Sequence, residues 1–453
     1  MDTKNIVAAI SLSAAVIVLY SLFFAPPPIT KENMAEGNKV EQNSDTPSLD
    51  QKENVAEISR EEALNQSERI NFENESIVGS ISLKGGVIDD LTFKQYNVSL
   101  DSQEKVTLLS PRNSKDGYLI ESGFITSDKN VEIPNSNSIW KVSGNNKLTD
   151  QSPIKISWTN DQGITFEKEI ALDDKYLFSI KQSVINPTDK KYDFYTYGQI
   201  IRNEMPDISN FYILHEGLVA TLDDELIEED YDDIQEKKFS RTAQKGWLGI
   251  GDKYWVTSLI PPREKEFKTT FDYKDKFRAN FVSTEPLELN ENSLIEETLQ
   301  IIVAAKRVDV IDGYAESLNI DKFDLTIDWG FLYFITKPLF FGIDYFFKLL
   351  GNYGLAIIAI TICIRLAFFP LANFSFRSMA KMKALQPEMA RLKELHKDDK
   401  MKLQQAMMAL YKKEKVNPMS GCLPILVQIP VFFALYKVLF VTIEMRHMPF
   451  YGW

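Results

Sequence analysis

Cysteine and histidine are scarce in this chain, with two and three residues respectively among 453. Both cysteines, Cys363 and Cys422, fall in or beside long apolar runs, so we expect no disulfide framework. The histidines, His215, His396 and His447, are far apart, and the topology derived below places them in different compartments. No histidine metal site or catalytic triad can therefore be assembled from them.

Enzyme motifs are also absent. The sequence has no G-x-x-x-x-G-K-[ST] phosphate loop, no H-E-x-x-H zinc motif and no G-x-S-x-G elbow. Acidic pairs such as Glu296 and Glu297 are abundant in so acidic a sequence and do not indicate a glycosidase. We therefore expect a protein that is not an enzyme and has no metal or cofactor. The energy that it uses should come from binding, partitioning or the membrane potential.

Three apolar runs of about twenty residues, at 6–25, 353–372 and 422–441, are long enough to cross a bilayer. The first lacks a small-residue cleavage pattern, which favours an uncleaved anchor (residues 1–25) over the alternative of a cleaved signal peptide. Residues 26–75 are rich in Glu, Asn, Ser and Lys after a short proline run and predict a disordered linker.

Charge is divided between two parts of the chain. Residues 26–328 hold 34 basic and 56 acidic residues, whereas the remainder holds 17 basic and 8 acidic. The loop at 373–421 has 11 basic and five acidic residues, and positive loops stay in the cytoplasm. The predicted topology has a cytoplasmic N-terminus, an exported acidic domain, spans at 353–372 and 422–441, and an outer loop beginning at 442–453.

Period-two alternation of apolar residues runs through much of the acidic part. It predicts strands at 77–83, 154–158, 164–170, 176–185, 192–201, 254–260 and 294–304, with a helix at 308–318. We expect a large antiparallel β-sandwich over 76–318. Residues 329–350 are rich in aromatics, but Lys337, Asp344 and Lys348 share one helical face, which predicts an amphipathic helix on the membrane surface.

Arg365 is the charged residue of the run at 353–372, and a guanidinium inside a membrane normally faces protein or a wet cavity. Thr361 precedes it by one helical turn, and Gln428 is the internal polar residue of the run at 422–441. Two interpretations remain open: these helices enclose a hydrated recess, or Arg365 makes a buried structural contact. Lys437, near the outer end of its span, is expected to snorkel.

The basic loop shows apolar residues at helical spacing on both sides of a polar turn at 396–400, which predicts a helical hairpin over 375–417. Seven of the twelve methionines lie between Met379 and Met419. Methionine-rich surfaces adapt to varied apolar partners, but these side chains could equally join the two helices. The candidate residues for receiving an apolar partner are Met382, Met389, Met407 and Met408.

Several segments resemble the YidC/Oxa membrane-insertase family. They are 379–382 (MAKM), 385–387 (LQP), 407–412 (MMALYK) and 417–424 (NPMSGCLP), the last continuing through Gln428, Pro430 and Tyr436. The match is dense from residue 328 to residue 453. Upstream, an anchor followed by a large exported β domain is also similar to Gram-negative members.

This resemblance implies an ATP-independent insertase and membrane-protein chaperone of the bacterial inner membrane, with a periplasmic β domain of sugar-mutarotase-like supersandwich fold. It implies that Arg365 and Gln428 line a hydrophilic groove and that the hairpin receives substrates. The implied partners are nascent integral membrane proteins, the Sec translocon with its accessory subunits, ribosome–nascent chain complexes and membrane lipids, without nucleic-acid specificity.

Family members continue past the position of Trp453 with further spans, so we expect this sequence to be a fragment. The residues themselves leave two other functions open. One is an anion channel or transporter that uses Arg365, for which paired broken helices would be expected. The other is a carbohydrate receptor in the β domain, for which aromatic and carboxylate side chains should share a cleft.

Overall fold

The computed structural model describes residues 58–208, 214–397, 399–414, 416 and 423–450. The predicted anchor at 6–25 and most of the predicted linker lie outside the described residues. Within them, a β domain is followed by a series of helices.

The strands, in chain order, are β1 Arg69–Glu73, β2 Ile77–Ser82, β3 Val87–Asn97, β4 Lys105–Leu109, β5 Tyr118–Ile125, β6 Lys141–Ser143, β7 Lys147–Leu148, β8 Ile154–Thr159, β9 Thr165–Leu172, β10 Leu177–Asn186, β11 Tyr192–Arg202, β12 Gly217–Leu222, β13 Glu225–Asp230, β14 Phe239–Ala243, β15 Gly246–Gly251, β16 Trp255–Ile260, β17 Phe267–Tyr273, β18 Phe277–Ser283, β19 Leu287–Leu289 and β20 Ser293–Ala305.

These strands form two sheets. The larger has the order β14-β17-β18-β11-β5-β3-β2-β1-β7, with β19 on β11 and β4 on β3. The smaller has the order β13-β12-β15-β16-β20-β10-β9-β8-β6. Pairing between the described strands is antiparallel except for β1 with β7. The two-sheet β fold predicted from the alternating residues is confirmed.

Alternation explains how the two sheets share one core. On β9, Phe166 and Ile170 are buried, whereas Glu169 between them is exposed. Aromatic rings from the two sheets meet edge to face, with centroids 5.2 Å apart for Phe72 and Phe178. Such pairs add stabilisation beyond the apolar area that they bury.

The folded domain begins earlier than predicted. Helix α1, Arg60–Leu64, is capped by Ser59, and β1 follows at Arg69–Glu73, within the segment expected to be a linker. The prediction was wrong for this part because its polar composition concealed an alternation: Ile70 and Phe72 are buried on β1.

Eight further helices are described. They are α2 Tyr231–Glu236, α3 Val308–Ser317, α4 Tyr333–Leu350, α5 Tyr353–Ala367, α6 Phe369–Ala384, α7 Gln386–Leu395, α8 Lys400–Lys413 and α9 Leu423–Val441. Helix α3 matches the closing helix predicted at 308–318. Helix α4 directs Lys337 towards the β domain, where its Nζ lies 3.0 Å from Asp312 and 2.8 Å from Asp324.

The apolar run at 353–372 does not form one straight helix. Helix α5 ends at Ala367, and α6 continues after a bend of 56°. We attribute the bend to Pro370 near the start of α6, because its ring lacks the N–H that would continue the hydrogen bonds of α5. Among the described residues, one helix is long and apolar enough to cross a membrane, over Pro424–Val441; the bent pair α5–α6 would be a second.

Candidate functional site

Arg365 lies in the last turn of α5, three residues before the bend. Its side chain is exposed, and its guanidinium carbon is 5.5 Å from the ring centroid of Phe432 on α9. A guanidinium over an aromatic face is attracted by the ring quadrupole, and a helix C-terminus also favours positive charge. Within the described part of the chain, Arg365 has no ion pair with a carboxylate.

The two polar residues predicted beside Arg365 are placed differently. Gln428 is half-buried on α9, one helical turn before Phe432, so it lies on the stripe of α9 that Arg365 faces. Thr361 donates its hydroxyl to the carbonyl of Ile357 at 2.7 Å, within α5 itself. Thr361 therefore satisfies its own polar group rather than supporting Arg365.

Helix α4 packs against both α5 and α9 and so joins the two helices that carry the polar residues. Apolar side chains of α5 and α9 are exposed around Arg365, including Ile362, Leu366 and Ile429. The arrangement is one cation beside an aromatic ring with exposed apolar side chains around it, and electrostatic attraction in apolar surroundings is stronger than in water.

Phe432 was not identified from the sequence. A signal existed, because an aromatic residue one turn after Gln428 falls on the same helical stripe as that polar residue. Nothing in the sequence, however, indicates which side of α9 faces Arg365.

Helices α7 and α8 form a hairpin and pack against each other across a turn. The hairpin is shorter than predicted, because residues 375–384, with Met382, lie on α6. Met382, Met389 and Met407 are half-buried, and Tyr411 of α8 donates its hydroxyl to the sulfur of Met389 at 3.9 Å. Met408 is 57 % exposed. The methionines thus divide between the two interpretations: Met389 helps to join the helices, whereas Met408 offers a free surface.

The sequence led us to expect that Lys437 snorkels to water, but the structure shows that it does not. It is 3 % exposed, and its Nζ lies 2.7 Å from the carboxylate of Asp328. The same oxygen accepts the backbone N–H of His215 at 2.8 Å, and the other accepts that of Gly330 at 3.0 Å. A buried ammonium needs such a partner, so the prediction failed because the carboxylate comes from 109 residues away.

A second connection joins the end of α9 to the β domain. Glu444, three residues after α9, accepts the N–H of Val308 at 2.7 Å at the start of α3. Burial raises the pKa of Glu444 to about 7. Arg446 donates to the carbonyl of Val98 at 3.0 Å. These bonds fix the β domain to the outer end of α9.

The β domain has a cleft of about 530 Å³ in which aromatic and carboxylate residues meet. Its aromatic rings, however, already face cations: Arg202 lies over Tyr118, and Arg446 lies over Tyr254 and Trp255. A sugar site uses aromatic faces for stacking, so this cleft gives no support to the carbohydrate-receptor alternative.

Comparison with known families covers most of the chain. The family described as the YidC periplasmic domain matches residues 69–341, and the family described as 60Kd inner membrane protein matches residues 345–453. The first match begins at residue 69, the first residue of β1, rather than at the predicted residue 76.

Curated relatives are similar over the whole chain. Membrane protein insertase YidC of Pelagibacter ubique is 74% identical, over 100% of this chain and 81% of the relative. The Rickettsia prowazekii protein of that name is 42% identical, over 99% and 81% respectively. A solved structure titled "Active YidC insertase crystal structure with the first transmembrane domain resolved" is 17% identical with a TM-score of 0.31, over 86% of this chain and 76% of that one. The chain belongs to the YidC family of inner-membrane protein insertases and carries that family's periplasmic domain and helical core.

Proposed function

We propose that Arg365, with Gln428 beside it on the facing helix, is the point at which a polar segment of a nascent membrane protein is held during insertion. The observation that carries this proposal is the state of Arg365: exposed in a membrane helix, against an aromatic ring, with no carboxylate partner among the described residues. A substrate carboxylate would supply the missing partner.

The proposed mechanism needs no nucleotide. A polar segment that crosses the membrane without help meets roughly 30 Å of hydrocarbon. Attraction to Arg365 lowers the barrier for that segment, while the substrate's apolar part moves into lipid. Because the cation is exposed rather than enclosed, the substrate can leave again, as turnover requires.

We propose further that α7 and α8 receive substrates on the cytoplasmic side, through Met408 and the neighbouring exposed Met401. The proposed topology has membrane segments at 6–25, 353–372 and 422–441, α4 on the outer surface and the N-terminus in the cytoplasm. Ribosome–nascent chain complexes would meet the hairpin, and the Sec translocon would meet the periplasmic domain and the lipid-facing helices.

A photocrosslinker placed at Gln428 in the full chain tests this function. We expect it to capture a small nascent membrane protein, whereas the same group at Tyr345, exposed on α4, should capture much less. Equal capture at both positions would contradict the site. An anion transporter would instead conduct solute through liposomes. In the described part of the chain there is a single bent pair, α5–α6, rather than the paired broken helices expected of a transporter.

A further inference from the structure

Lys168 lies in the core of the β domain, on the apolar face of β9. It is 3 % exposed, and Phe166 and Ile170 flank it on the same face of the strand. Its Nζ donates a hydrogen bond to the carbonyl of Gly86 at 3.0 Å. A buried ammonium is unfavourable unless an opposite charge accompanies it, so this position requires an explanation.

The other deeply buried lysines show which carboxylate partners a buried ammonium normally has. Lys437 pairs with Asp328. Lys306 is buried, which lowers its pKa to about 8, but several carboxylates, including Asp252, counteract the effect. For Lys168, burial alone lowers the pKa to about 7, and no described carboxylate faces it. The preceding residue, Glu167, points to the opposite face of β9, and its carboxylate pairs with Lys155.

Two more buried polar side chains converge on Lys168. Gln182 is directly opposite it on β10, is 1 % exposed, and has no described partner for its amide nitrogen or oxygen. Trp140 is 2 % exposed, its ring centre is 4.9 Å from the lysine Nζ, and its indole N–H has no described partner. The ring packs on Gly86, where a Cβ would come within 2.8 Å of the indole nitrogen.

These three side chains line a cavity of about 20 Å³ between the sheets. That exceeds the roughly 10–15 Å³ that one water needs, and it is far below the ~300–1,000 Å³ of pockets for organic ligands. Among these three side chains, hydrogen-bond donors outnumber acceptors: the protonated lysine keeps two, the indole has one and the amide has two, against the single amide oxygen. Ser122 and Tyr197 also line the cavity, and their hydroxyls can donate as well as accept. A one-atom ligand that only accepts hydrogen bonds satisfies this set.

We propose that the cavity bounded by Lys168, Gln182 and Trp140 binds one small inorganic anion of halide size. The anion accepts from the ammonium, the indole and the amide, and it supplies the negative charge that the protein does not place beside Lys168. It thereby stabilises the folded β domain. This role is independent of the insertion site at Arg365.

Thermal unfolding of the full chain in detergent, with chloride exchanged for gluconate at constant ionic strength, tests the proposal. Once the site fills, we expect Tm to rise by about 3–5 °C for each tenfold increase in chloride. Lys168→Met should abolish that dependence. In crystals grown with bromide, an anomalous peak should lie within hydrogen-bond distance of Lys168 Nζ.

A matched pair of tryptophan variants keeps the test informative if Lys168→Met does not fold. Trp140→Phe keeps the ring but removes one donor and should weaken the chloride dependence. Trp247→Phe makes the same change at another buried indole without a described partner, away from the cavity, and should leave the dependence unchanged. A Tm independent of chloride, an equal slope in Trp140→Phe and Trp247→Phe, or the absence of a bromide peak would overturn the proposal in favour of a neutral amine and a water.

Discussion

The ammonium of Lys437 on α9 lies 2.7 Å from the carboxylate of Asp328, which connects the β domain to α4. Both side chains are largely buried, with 4 % and 15 % exposed. Since Asp328 also accepts the backbone N–H of His215, this one carboxylate joins the β domain, the start of α4 and α9.

Breaking this pair should strongly destabilise the junction. We expect Asp328→Asn to lower the free energy of unfolding by about 3–5 kcal/mol, because it removes the carboxylate that pairs with the buried Lys437 ammonium. The double variant with Lys437→Met should recover most of that loss. Denaturant unfolding of the full chain in detergent measures the stability of Asp328→Asn, of Lys437→Met and of the double variant. If the loss in the double variant equals the sum of the losses in the two single variants, direct coupling between the two residues is contradicted.

Glu444 should make stability depend on pH. Its pKa is raised from 4.5 to about 7, so the folded protein holds a proton that the unfolded chain releases. The stability that this proton provides is complete below about pH 4.5 and is lost as pH rises through about 7. Relative to Glu444→Gln, the wild type should lose up to about 3 kcal/mol across that window. Parallel stability–pH curves for the two proteins would contradict the prediction.

Pro370 should be responsible for the bend between α5 and α6. Pro370→Ala restores the missing N–H and removes the ring clash, so we expect the two helices to become more collinear. Spin labels at Ile358 and Phe376 in a variant without native cysteines should then move farther apart. Pro387→Ala, at the start of α7, is the control and should leave that distance unchanged.

Substitutions of two hairpin methionines should have different effects, one on substrate capture and the other on helix packing. Met408→Ser should reduce capture of substrate with no change in hydrogen exchange of α7 and α8, because its side chain is exposed. Met389→Ser should accelerate that exchange severalfold, since it removes the contact with Tyr411. If both substitutions altered exchange equally, the division of the methionines would be wrong.

Much of the fold could be predicted because it depends on local periodicity. The strands at β9 and β10 and the helix at α3 follow from alternating or helical spacing of apolar residues. Two local signals were overlooked: the alternation of Ile70 and Phe72 within a polar segment, and the effect of Pro370 on an apolar run.

Contacts between distant segments could not be predicted in the same way. The partner of Lys437 is 109 residues away, and the Val308 N–H that Glu444 accepts is 136 residues away. Hydropathy marks Arg365 as exceptional but does not reveal that Phe432 faces it. Charge pairing across a fold depends on tertiary packing, which a single sequence does not encode in any local pattern.

We propose that the positive charge of Arg365 holds the polar segment of a substrate during insertion. Insertion of a small membrane protein with an acidic translocated tail, into liposomes containing the full chain, measures this role. We predict that Arg365→Ala slows insertion by about tenfold or more, equivalent to one charge-assisted hydrogen bond, whereas Arg365→Lys stays within a few-fold of wild type. Normal insertion by Arg365→Ala of every such substrate would contradict the account.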